Sequence, residues 1–135
     1  MKNNLSNIKK SKYYLDKGDC IAIPTETVYG LAGNAYSNRA TLKIFKLKKR
    51  TKKNPLIVHY NSVKMLNNDC ILNNQFIKLY KKFCPGPITF VLKKNKKSKL
   101  SPISTSNLKT VAIRFPSHKV IRSILKLTSF PLAMP

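Results

Sequence analysis

The chain has 135 residues, 42% of them hydrophobic, and a formal net charge of +23. That size and apolar content fit one folded domain over residues 1–135 and argue against a disordered tail. No apolar run is long enough to span a bilayer, and the lysine-rich N-terminus lacks a signal core, so a cytoplasmic protein is expected.

Taken in order, the pattern alternates helix and strand. Leu5, Ile8 and Leu15 predict a helix from about Asn4 to Lys17, stopped by Gly18. Cys20–Ile23 reads as a strand that Pro24 ends, followed by the polar stretch Thr25-Glu26-Thr27. Gly30 and Gly33 read as flanking a turn. Asn38 is a candidate N-cap for a helix through Ala40, Ile44, Phe45 and Leu47, which runs into the basic stretch Lys46–Pro55.

Leu56–Tyr60 is a second strand, apolar enough to be covered on both faces. A short helix over Ser62–Asn67 follows. Phe76, Leu79, Tyr80 and Phe83 then give a helix over Asn74–Phe83. Pro85-Gly86-Pro87 breaks it, and Ile88–Leu92 is a third strand. Lys93–Asn107 reads as a mobile loop without periodicity. Thr110–Phe115 is a fourth strand, Ser117 a candidate cap for a last helix, and Pro131–Met134 a fifth strand. The fold class is α/β, a single twisted, open, mixed sheet flanked by helices.

The chemistry is bounded by what is scarce. The acids are Asp16, Asp19, Glu26 and Asp69, too few for a paired-carboxylate site or a carboxylate metal cage, so no metal ligands are assigned. Cys20, Cys70 and Cys84 show no metal spacing and read as reduced, mostly buried thiols. No phosphate-cradling GxxxxGK[ST] loop is present. Lysine far outnumbers arginine, so the charge alone predicts salt-sensitive, nonspecific attraction to nucleic acid. Lys48 and Arg50 lie at a helix end just before a buried strand, with Asn54 nearby. They either converge on an anion or form a solvated basic helix end favoured by the dipole. Polar residues past the first strand either cap a turn or line a ligand site at the strand's carboxyl end. His59 and Thr110 can likewise be ordinary strand residues.

Four segments in order, IPTETVYGL, KLKKRTKKNPLIVH, CPGPITFVL and TVAIRFPSH, together resemble the YrdC-like family of threonylcarbamoyl-AMP synthases. The likeness covers about Asp19 to Pro135. Two departures stand out: the family's K-G-R-P reads Lys48-Lys49-Arg50-Thr51 here, and its Trp before Pro-Gly-Pro is Cys84.

The resemblance implies a YrdC-like fold with a concave basic face. It implies a nucleotidyltransferase that joins L-threonine, bicarbonate and ATP into threonylcarbamoyl-adenylate with release of pyrophosphate, for tRNA modification. Matching positions assign Thr27, His59, Arg114 and the backbone at Met134 to threonine, and Arg50, Asn54 and Thr110 to the nucleotide. Lys48 falls beside the phosphates or the carbamate, and Lys48 and Arg50 are the expected catalytic groups. ATP is a substrate, and Mg2+ would arrive on it. Partners implied are tRNA or double-stranded RNA and downstream threonylcarbamoyl-transfer proteins. The alternative is a non-catalytic YrdC-like RNA-binding module or an inactive fragment. Family members continue past the PLAMP-like strand into a Ser-Ala-Asn motif, so a C-terminally truncated member is expected.

Overall fold

The computed structural model describes residues 4–26 and 28–135. Helix α1 (Leu5–Asp16) starts where the Asn4 side chain accepts the Asn7 N–H at 2.9 Å. It ends at Gly18, whose φ of +83° lets the Gly18 and Asp19 amides turn back onto Leu15 and Tyr14 carbonyls. Strands β1 (Ile21–Pro24) and β2 (Tyr29–Asn34) form a hairpin, and α2 (Asn38–Leu47) follows, capped by the Ser37 hydroxyl. Next come β3 (Ile57–His59), α3 (Val63–Leu66), α4 (Asn74–Phe83) and β4 (Thr89–Lys93). The order closes with β5 (Thr110–Arg114), α5 (Lys119–Leu127) and β6 (Leu132–Met134).

These strands make one mixed sheet in the order β1-β2-β6-β3-β5-β4. Only β3 and β5 pair in parallel; β6 inserts antiparallel between β2 and β3. Strand alternation divides the core in two. On one face Val58, Ile113, Phe90, Leu92 and Ala133 pack with Ile44 and Phe45 of α2, Leu66 of α3 and Phe76 of α4. On the other, Ile23, Ala32, Leu132 and Met134 pack with Ile8 and Leu15 of α1 and Ile121 and Ile124 of α5. The second core lies under β1, β2 and β6. On that same face β3, β5 and β4 present Ile57, Ala112 and Val91, and Val91 is 68% exposed.

Four sequence expectations change, the first being that α2 is capped by Ser37 and already includes Asn38, the expected cap. Gly30 and Gly33 lie inside β2 rather than around a turn. Close packing requires both: a Cβ on Gly30 would stand 2.2 Å from the Met134 methyl, and one on Gly33 3.2–3.3 Å from Ile44, Ala40 and Cys20. The loop 94–109 is not a free one, because Leu100, Ser101, Ser104 and Thr105 are buried. It is anchored on buried Asp69, which accepts from Ser98 Oγ and Lys99 N while Tyr36 and Tyr60 hydroxyls bond its other oxygen at 2.7 and 2.8 Å. Helix α5 is capped by His118, whose Nδ1 accepts the Val120 N–H at 3.2 Å; Ser117 is engaged elsewhere. Of the three free thiols, Cys70 is buried while Cys20 and Cys84 are half-buried, and burial pushes Cys70 up to about 12.

Candidate functional site

Register arranges the uncovered face in rows. Thr89, Arg114 and His59 are cross-strand neighbours on β4, β5 and β3, with Leu132 of β6 next. One row further, Val91, Ala112 and Ile57 lie side by side, with Met134 beyond. In the third row Lys93 pairs with Thr110. Thr110 and Arg114 share this face four residues apart, about 13 Å along a strand. One end is therefore marked by Arg114 and His59, the other by Thr110.

At the first end His59 is 4% exposed. Burial lowers its pKa, and the Arg114 cation lowers it further, to about 4, against weaker opposing hydrogen bonding to the Ile57 and Leu132 backbone and the charge of Glu26. The imidazole is neutral at pH 7, a hydrogen-bonding group without charge. Arg114 is half-buried, and its Nε and Nη2 donate to the Thr89 hydroxyl at 3.2 and 2.8 Å. This neutral oxygen, its one side-chain hydrogen-bond partner among the described residues, leaves the guanidinium its full charge and further donors for a carboxylate. Met134 is 3% exposed, its methyl set in the space that Gly30 leaves open.

The other end receives the basic loop. Helix α2 closes as α1 does: the Lys49 and Arg50 amides return to the Lys46 and Phe45 carbonyls. Here the left-handed position is Lys49, with φ of +49°, where α1 has glycine. Arg50 then folds over its own loop, donating to the Asn54 carbonyl at 3.0 Å and the Pro55 carbonyl at 2.9 Å. Pro55 precedes Ile57 by two residues, as Thr110 precedes Ala112, so the loop arrives level with Thr110. Lys48 is exposed at the α2 C-cap.

Of the residues singled out in the sequence, His59, Arg114 and Met134 are thus on adjacent strands of one face, and Arg50 and Asn54 form one loop. Thr110 is on the same face, at the loop's end. Thr27 lies outside the described residues. Reading the sequence missed Thr89, which holds Arg114; its place inside CPGPITFVL was the available signal. Also missed was the engagement of Glu26, whose carboxylate accepts from Ser117 and His118. Burial would raise its pKa, but the Ser117 and His118 hydrogen bonds outweigh that and lower it. Among the described residues no group of three His, Cys, Asp or Glu side chains could hold a metal ion, and no helix is long and apolar enough to cross a membrane.

Comparison with known proteins identifies the family and the fold. The Sua5/YciO/YrdC family model, described as "Telomere recombination", matches residues 13–135. Threonylcarbamoyl-AMP synthase of Pyrococcus abyssi is 39% identical over 127 residues, covering 90% of this chain and 36% of that protein. The Bacillus subtilis protein of the same name is 37% identical, covering 100% of this chain and 39% of its own length. The chain therefore spans about two fifths of the length of these relatives. The crystal structure of P. abyssi Sua5 complexed with L-threonine superimposes with a TM-score of 0.93 at 34% identity, over 100% of this chain and 39% of that one. HypF in its phosphate- and nucleotide-bound form gives 0.83 at 27% identity, over 94% and 20%. With a family match over nearly its whole length, the chain belongs to the Sua5/YciO/YrdC family.

Proposed function

We propose that this chain acts in the cytoplasm in L-threonylcarbamoyladenylate synthesis, joining L-threonine, bicarbonate and ATP with release of pyrophosphate, for threonylcarbamoyladenosine modification of tRNA. The observation that carries the reading is the two-ended open face. A charged Arg114 beside a neutral, buried His59 marks one end, and the Arg50 loop with Thr110 marks the other. The relatives named threonylcarbamoyl-AMP synthase and the threonine complex of P. abyssi Sua5 support it.

In this reading the threonine carboxylate pairs with the planar guanidinium of Arg114, which Thr89 steadies from behind. His59, Thr27 and the Met134 backbone hold the remaining polar groups of the amino acid. The amine and bicarbonate combine to a carbamate with loss of water. A carbamate oxygen then attacks the α-phosphorus, the bond to the β-phosphate breaks, and pyrophosphate leaves. Both reactants are anions, so the chief barrier the protein can lower is their repulsion. Lys48 and Arg50 supply the positive charge that lowers it and stabilises the transition state. Asn54 and Thr110 contact the nucleotide. A divalent ion such as Mg2+ would enter on ATP, since the four acids offer no cage for a resident one.

The test is pyrophosphate release by the chain, which should require threonine, bicarbonate and ATP together. The competing reading is an RNA-binding module, favoured by the net charge of +23. Steeply salt-dependent binding of tRNA or double-stranded RNA, with no threonine-dependent turnover, would decide for that reading. Proteins that pass the adenylate's threonylcarbamoyl group to tRNA are the partners implied by the synthase.

A further inference from the structure

Glu26 is the chain's only glutamate. Its Oε1 accepts from the Ser117 backbone N–H, from the Ser117 hydroxyl at 2.8 Å and from the His118 N–H at 3.3 Å. These donors stand 91 and 92 residues further along the chain. Such long-range bonds are not needed to start α5, because His118 already caps that helix locally through Nδ1. What the carboxylate joins is two approach segments: the turn after β1 and the stretch that leaves β5.

Both segments bear on the same end of the site. The turn is closed by Thr25, which donates its hydroxyl and its N–H to the Val28 carbonyl at 2.6 and 3.2 Å. Ser117 follows Arg114 by three residues, so whatever fixes Ser117 limits where β5 delivers the guanidinium. A carboxylate that gathers three donors is a strong, directional tie. The Glu26 charge also raises the His59 pKa slightly, the weakest of the influences on that imidazole, which is consistent with the tie lying towards this end of the face.

We propose that Glu26 is a positioning residue, a clasp between the β1–β2 turn and the segment 115–118 that sets the threonine end of the site and leaves the nucleotide end untouched. The inference rests on the functional reading above, and its test is arranged so that each can fail alone. Threonine and ATP binding would be titrated separately by calorimetry on the whole chain and on Glu26→Ala and Glu26→Gln, with amide hydrogen exchange followed at Ser117 and His118. Glu26→Ala should weaken threonine binding about ten- to a hundredfold, the scale of losing a charge-assisted contact. ATP affinity should hold, and Glu26→Gln should recover part of the loss because its amide oxygen still accepts. Ser117→Ala, which removes only the hydroxyl donor, should give a smaller loss in the same direction and serves if the Glu26→Ala chain does not fold. Unchanged threonine affinity in a folded Glu26→Ala chain, or equal loss of both ligands, overturns the clasp. If the unaltered chain binds ATP but no threonine, the functional reading falls by itself. The exchange data then decide the clasp: lost protection at Ser117 and His118 in Glu26→Ala upholds it, and unchanged protection overturns it.

Discussion

His59 and Arg114 are register partners on the parallel pair β3 and β5, so a guanidinium stands one strand away from a buried imidazole. Burial first and this cation second hold the imidazole pKa near 4, below its ordinary 6.5. The unfolded chain thus binds a proton that the folded chain refuses between those values. Stability from this group is fully present above about pH 6.5, falls as the pH drops towards 4, and is level below that. The full span is worth about 3 kcal/mol. Thermal melts of the chain and of His59→Gln from pH 7 to pH 4 check this: the variant should lose the corresponding part of the acid slope. Parallel slopes would show that His59 titrates normally.

Arg114→Ala should weaken threonine binding by about 1.5–3 kcal/mol and leave ATP binding intact, since Thr110 and the Arg50 loop lie at the other end of the face. Arg114→Lys should not restore it, because the lysine point charge cannot hold Thr89 and a carboxylate in one plane. Separate titrations with each ligand measure the split. Loss of both affinities would indicate a damaged strand.

Arg50 has two tasks. Its guanidinium closes the loop through the Asn54 and Pro55 carbonyls, and in the proposed reaction it faces developing charge. Arg50→Ala should lower adenylate formation about 100- to 1,000-fold while also loosening the loop that enters β3. Arg50→Lys should recover little. Initial rates alongside proteolysis of the 50–55 loop test both tasks. Near-normal synthesis by folded Arg50→Ala protein would remove it from the chemistry.

The two Schellman-type helix ends, at Gly18 and Lys49, make a direct comparison within one chain. A lysine at φ +49° carries a Cβ penalty that glycine does not. Lys49→Gly should therefore raise stability by roughly 0.5–1 kcal/mol, after allowing for glycine's greater freedom when unfolded. Denaturant titration at fixed ionic strength gives the value. A lower midpoint would mean that the lysine side chain contributes more than its backbone costs.

Helices were legible wherever an apolar stripe recurred at helical spacing, as in α2 and α4, although the α2 cap is Ser37 and not the expected Asn38. The strands carrying His59 and Arg114 were legible for the same reason, as short apolar runs between turn signals. Strand β2 was hidden because its two glycines look like turn punctuation, whereas their real reason is the approach of Met134 and of α2. The stretch Lys93–Asn107 was misread as mobile because lysine and serine without periodicity suggest solvent. Ser104 and Thr105 are fully buried, their hydroxyls bonded to carbonyls of Ser101 and Pro102. Sequence-local reasoning also could not see Glu26 with Ser117 or Arg114 with Thr89, since those partners meet only once the sheet is assembled. The assignment of ligand roles came from family resemblance; the rows on the open face come from register.

Strand β6 has a consequence for how the chain reaches its fold. The β1–β2 hairpin and the β3-β5-β4 group touch through the sheet only by way of residues 132–134. Because β6 follows the other five strands in the chain, the two half-sheets, each with an unpaired inner edge, can be joined only once residues 132–134 are available. Loop closure of this kind delays folding and leaves the intermediate prone to pairing with other chains. The halves of the sheet would acquire their fixed relation only after residues 132–134 have been made.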